Sequence, residues 1–214
     1  MNLAEIPTVN GYIDADGPNG VDFEGMVETL DYIKQNGGHI PETYKSWQYD
    51  IYPDQRDKAL RMVPEQVLDR LRDDVSQRLG ETKDFRIVII EGFLLYNMSA
   101  IRQRLDCKLF VRLDHAEAKH RRMTRSQYGS DAEEGEFWKT EDYFEKMVWW
   151  NYIEQHADLF VEGNVEGNVD LVKCSERGIA IQEAMNVHVE DTLIWAVDIV
   201  LSFLIKKTQL ERVS

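Results

Sequence analysis

Apolar and polar positions fall into blocks along the chain, and the blocks predict a mixture of helices and strands. The clearest block lies within residues 85–97. There Ile87, Val88, Ile89 and Ile90 run together and stop at Glu91 and Gly92. A short apolar run with polar ends fits a strand buried on both faces, and the carboxyl end of such a strand is where open α/β sheets place their ligands. It also fits a plain core strand that ends in a solvated Glu91. Phe23, Met26, Val27, Leu30 and Ile33 recur at helical spacing, and Gly37 with Gly38 closes that helix. Pro64 opens a second helix, whose stripe is Val67, Leu68, Leu71, Val75 and Leu79, with Gly80 as the stop.

Further along, a short helix is expected around residues 99–104, a second strand over 108–113, and a helix from His115 to about Ser126 capped by Asp114. Tyr143, Phe144, Met147, Val148, Trp150 and Ile153 mark a long aromatic-rich helix that ends near Phe160. Residues 162–169 read as a turn region, 169–172 as a third strand, and 192–207 as a final amphipathic helix. Residues 1–20, rich in Gly, Pro and Asn, read as loop, and 39–57 as an irregular insert. Strands alternating with helices argue for an α/β fold, with a mostly parallel sheet flanked by helices in a single domain. About three strands is few against the usual five or six.

Composition narrows the class. The 214 residues are 43% hydrophobic and 30% charged, with a formal net charge of −14. So acidic a surface repels nucleic acid and anionic membranes, so neither is an expected partner. Any phosphate site must then be a local basic cluster. Cys107 and Cys174 lie far apart without metal-ligand spacing and fit reduced thiols of a cytoplasmic or nuclear protein. The residues from Met1 to Thr8 carry no signal-peptide pattern, and the longest apolar run, 193–205, is too short and polar to span a bilayer.

Three features could carry chemistry. His120, Arg121, Arg122, Met123, Thr124 and Arg125 form the densest basic cluster. Arg121 and Arg125 share a helix face, and guanidinium groups bind phosphate oxygens bidentately. A solvated helix face explains the same residues. Asp14 and Asp16 sit in a Gly/Pro-rich loop, where an acid can accept from sugar hydroxyls or simply form a turn. Trp138, Trp149 and Trp150 could stack on a base, although helical spacing makes them core candidates. The histidines make no metal or triad constellation.

Three stretches in order, N-G-Y-I-D-A-D (10–16), I-I-E-G-F-L-L-Y-N (89–97) and R-R-M-T-R (121–125), resemble the nicotinamide riboside kinases of the uridine-kinase-like P-loop group, especially the fungal type. The likeness runs from about Ala4 to Val165. It implies a P-loop kinase-like parallel sheet, a lid over about 121–140, and ATP-dependent phosphorylation of the 5′-hydroxyl of a nicotinamide-type nucleoside in NAD synthesis. By resemblance Asp16 matches the acid on the ribose hydroxyls, and Glu91 the strand-end acid on the Mg²⁺ and phosphate side. Arg121 and Arg125 match lid arginines on the ATP phosphates, and Arg122 a lid arginine facing the substrate. Gln127 and Tyr128 fall where the lid touches the base, and the 162–167 turn near adenine.

The departures are equally specific. No G-x-x-x-x-G-K-[ST] occurs in these residues, nor the family's D-D-F stretch. By resemblance both, with the family's first two strands, would precede Met1, which leaves 87–90 as an unpaired apolar edge. Ala15 stands where the family favours an aromatic beside the ribose acid. Three readings stay open: a nicotinamide riboside kinase seen as a shortened chain, a non-catalytic nucleoside-binding protein, and a kinase for another nucleoside such as uridine. The oligomeric state is left open as well.

Overall fold

A computed structural model describes residues 6–42, 62–80, 86–124, 138 and 140–211. The chain folds as a helix-rich α/β protein with two small sheets. It opens with a hairpin of β1 (Thr8–Val9) and β2 (Tyr12–Ile13), antiparallel with Thr8 opposite Ile13 and Val9 opposite Tyr12. The turn is Asn10-Gly11, with φ of 50° and 86°. Both residues sit in the left-handed region, where Asn and Gly cost least, and that turn matches the twist of the flanking strands. The loop expected over 1–20 therefore contains a hairpin. The Asn-Gly pair was its signal.

Helix α1 (Phe23–Gln35) follows, capped by the Asp22 carboxylate accepting from the Gly25 N–H at 2.9 Å. Its apolar stripe buries Leu30 against Leu95 and Ile101 of α3 (Ser99–Arg102), and Ile90 packs on this cluster from outside. Arg104 clamps Asp31 of α1 through two hydrogen bonds of 2.7 Å. Helix α2 (Glu65–Leu79) buries no residue fully and lies against the C-terminal helix, to which Arg78 donates at 2.7 Å (Asp198) and 3.2 Å (Ser202).

The second sheet is parallel. β3 (Lys108–Phe110) pairs with β4 (Ile179–Ile181), Leu109 opposite Ala180. Phe110 and Ile179 enter a core with Leu159, Phe160, Val165 and Cys174. Between the strands come α4 (His115–Thr124), α5 (Glu141–Tyr143), a π-helical run Phe144–Trp149, α6 (Trp150–His156) and α7 (Leu171–Glu176). Helix α8 (Val189–Glu211) closes the chain. Among the described residues no helix is long and apolar enough to cross a membrane.

Several expectations are corrected. The second strand stops at Phe110, and Arg112 turns inward to make side-chain bonds instead. The third strand lies at 179–181; Val169 makes only an isolated bridge to Phe160, and the next residues form α7. The final helix starts and ends outside 192–207. Residues 87–90 do not form a strand buried on both faces: Ile89 is 87% exposed and Ile87 58%. Among the described residues they have no ladder partner. A continuous apolar run becomes a strand only if another strand supplies the hydrogen bonds.

Candidate functional site

The hairpin exists to hold a loop. Tyr12 of β2 reaches α5, donating to Asp142 at 2.5 Å and packing edge-on against Tyr143 with ring centroids 5.4 Å apart. Asn10 in the turn donates to the Lys146 carbonyl at 2.8 Å. The hydrogen bond to Asp142 raises the Tyr12 pKa first, with burial second. Docked this way, the hairpin delivers residues 14–20 to the C-terminal end of α4.

There the structure joins two of the residues picked out in sequence. Arg122 forks onto Asp16, Nη1 to Oδ1 at 3.0 Å and Nη2 to Oδ2 at 2.8 Å, across 106 positions of chain. The two side chains are only 18% and 19% exposed. Partial burial strengthens such a pair relative to a surface one, and the two-point fork fixes the plane of both groups. Under the guanidinium lies Tyr143, fully buried, its ring centre 5.8 Å from the Arg122 Cζ. Burial, and then the nearby Asp16 carboxylate, push the Tyr143 hydroxyl pKa far up, so it stays protonated. Asp14, the other acid of D-A-D, points inward instead. It is 2% exposed, and both its oxygens accept from amides, Asn19 and Asn151, at 2.9 Å each.

The remaining candidates stand apart. Glu91 is exposed, and among the described residues no hydrogen bond or ion pair reaches it. Arg121 points to Glu117 one helical turn back, at 2.7 Å, on the exposed face of α4. Arg125, Gln127 and Tyr128 lie outside the described residues, as does most of the lid expected over 121–140. Trp149 packs on Phe144 and His115 as part of the interior, and Trp150 is partly exposed.

Two features escaped the sequence reading. The π-helical run inserts extra turn length between Tyr143 and Asn151, both of which serve the Asp14–Asp16 loop; such bulges favour functional regions. Arg112 is buried with carbonyl acceptors alone: Glu183 at 2.5 Å, Gly167 at 2.8 Å and Val165 at 3.1 Å. It also lies 4.8 Å over the Phe160 ring and so pins the 162–167 turn. Burial lowers its pKa.

The expected Mg²⁺ and ATP phosphates need converging acids and donors. Among the described residues no three His, Cys, Asp or Glu side chains gather to hold a metal. Glu91 and Arg121 do not meet. These residues alone do not fit a complete metal and triphosphate site.

Comparison with known proteins bears on the family. Over 205 residues the chain is 27% identical to the nicotinamide riboside kinase of Schizosaccharomyces pombe, covering 94% of this chain and 80% of that protein. With the nicotinamide riboside kinase of Saccharomyces cerevisiae it shares 31% over 158 residues, or 72% of this chain and 61% of that protein. The chain is similar to the nicotinamide riboside kinases. A third relative of that name, from Eremothecium gossypii, is 29% identical over 153 residues, 71% of this chain and 58% of that protein. The chain thus spans less than two thirds of the length of two of these three relatives. No protein-family model and no solved structure matches it.

Proposed function

We propose that the chain holds a nicotinamide-type nucleoside by its ribose, through Asp16 and Arg122, for ATP-dependent phosphorylation of the nucleoside 5′-hydroxyl. The observation that carries this reading is the Asp16–Arg122 pair itself. Two of the three family-like stretches meet at hydrogen-bond distance on a buried tyrosine. A carboxylate has about four lone-pair positions, and the arginine fork takes two, leaving acceptor capacity for a ribose diol. The three relatives all carry the name nicotinamide riboside kinase, which supports the substrate class.

Within this reading the domain is single, of P-loop kinase-like parallel-sheet type, with its lid over 121–140. ATP with Mg²⁺ is the phosphoryl donor. Glu91 serves the phosphate side, Arg121 and Arg125 the ATP phosphates, and Gln127 and Tyr128 the base. Phosphoryl transfer asks mainly for positioning and positive charge around the moving group. The 214 residues contain no G-x-x-x-x-G-K-[ST] loop, so nucleoside binding and turnover are separate quantities in this chain. Ala15 supplies no ring to stack on a base, and this favours testing uridine as a second substrate.

The test is calorimetric titration of the purified chain with nicotinamide riboside and with uridine, beside an ATP-dependent phosphorylation assay. Nicotinamide riboside should bind. Asp16→Asn should weaken it by roughly tenfold to a hundredfold, as expected for losing hydrogen bonds to a charged group. Absence of binding by the unaltered chain would overturn the proposal, and preferential binding of uridine would reassign the substrate. Binding without turnover would leave a nucleoside-binding role for these 214 residues.

A further inference from the structure

We infer that Asp14 is a positioning residue for Asp16: its buried carboxylate is the post around which the loop winds, and it sets Asp16 where Arg122 and a ribose can reach it. The inference rests on the ribose-binding reading of Asp16. Asp14 itself is only 2% exposed.

The geometry is closed on every side. The Asp14 N–H donates to the Pro7 carbonyl at 3.0 Å, and the Ala15 N–H to Ile13 at 2.8 Å, so the hairpin sets the chain's exit direction. Asp14 Oδ1 then accepts from Asn151 Nδ2 and Oδ2 from Asn19 Nδ2, each at 2.9 Å. The loop folds back so tightly that a Cβ at Gly17 would collide with the Asp14 carboxylate, and one at Gly20 with the Ala15 carbonyl. The turn of Pro18–Gly20 closes the wrap, with Gly20 N–H donating to Gly17 at 2.9 Å.

Asn151 lies on α6, continuous with the π-helical run and with Tyr143, the floor under Arg122. One helical stretch therefore fixes the loop at Asp14 and supports the arginine that meets Asp16. With the first anchor gone, the loop can pivot about β2, and a two-point fork tolerates little displacement. Asn151 and Asn19 are then positioning residues too, acting through Asp14.

The test uses Asp14→Asn, which keeps shape but opposes one amide donor to another. Affinities for nicotinamide riboside and its 2′-deoxy counterpart are measured by calorimetry on the whole chain, with crystal structures of wild type and variant. Asp14→Asn should lose roughly tenfold affinity for the riboside, the worth of about one buried hydrogen bond, while the 2′-deoxy compound changes little. A general folding defect would instead weaken both alike. Asp14→Asn combined with Asn151→Asp reverses one hydrogen bond, keeps the other and conserves charge, so it should restore the riboside preference. Asn19 is exposed, and Asn19→Ala should cost roughly threefold without threatening the fold. It decides the question if Asp14→Asn does not fold. An unchanged riboside preference in these variants would overturn the inference. So would a variant crystal structure that keeps the bidentate Asp16–Arg122 pair. If the unaltered chain binds neither nucleoside, the ribose reading fails, and the two crystal structures alone decide the role of Asp14.

Discussion

Asp16 and Glu91 are both acids within the family-like stretches, and the fold treats them oppositely. Asp16 is held on all sides: a hairpin behind it, a buried carboxylate two residues back, an arginine fork in front and Tyr143 beneath. Glu91 stands exposed at the end of a segment whose Ile87 and Ile89 face solvent and whose Gly92 and Phe93 are exposed as well. The first region is preorganised within the described residues; the second is not. Preorganisation is what lets charged groups bind a ligand without reordering, so the Asp16–Arg122 region is the better prepared of the two to receive one.

Breaking the first region should have the largest effect. Tyr143→Ala removes a fully buried ring from beneath Arg122 and should cost about 3–5 kcal/mol of stability, read from the urea midpoint. It should also abolish nucleoside binding. A loss below about 1 kcal/mol would mean that the floor is not part of the packed structure.

A smaller effect sharpens the comparison through pH. The Asp31 carboxyl is held below its ordinary value, first by the Arg104 hydrogen bonds and then by Arg104 charge, against burial. Its folded pKa is thus lower than its unfolded one. The stabilisation is whole above the unfolded value near ~4 and fades as pH falls through the lowered folded value. Between pH 5 and pH 3 the urea midpoint of the wild type should fall more steeply than that of Asp31→Asn. Parallel curves would show that the pair contributes nothing.

The smallest effect belongs to the exposed segment. Ile89→Lys should leave the urea midpoint within about 0.5 kcal/mol of wild type, because the side chain is 87% exposed. It should also raise solubility, since an apolar unpaired edge invites association. A loss of several kcal/mol would show that Ile89 is covered in solution and that the contrast with Asp16 is weaker than described.

Much of the fold was legible in local pattern. The stripes of α1, α2 and α8 repeat every 3.6 residues, and glycine and proline punctuation marks ends of α1 and α2 within a few positions. The hairpin was legible too, in Asn10-Gly11, but composition rich in Gly, Pro and Asn hid it as loop. Residues 171–176 and 179–181 were misplaced because segments so short carry less than two periods of either pattern. At the site, Asp16 and Arg122 were found from their family-like stretches. Tyr143 and Asn151 were not, because a buried aromatic or amide on a helix looks in sequence like any other core or surface position, and Arg112, just past the end of β3, reads as an ordinary charged residue.

By itself, then, the chain's order of residues determined the helix faces, the turn at Asn10-Gly11, the acidic balance and the stretches shared with the nicotinamide riboside kinases. These follow from backbone sterics and periodic burial, which act over a few residues. Tertiary structure alone decided that Arg122 meets Asp16 across 106 positions, that Asp14 turns inward while Asp16 meets Arg122, and that residues 87–90 find no strand partner among the described residues. Each depends on which distant group arrives to satisfy a charge, an amide or a strand edge, and only packing brings those groups within hydrogen-bond reach.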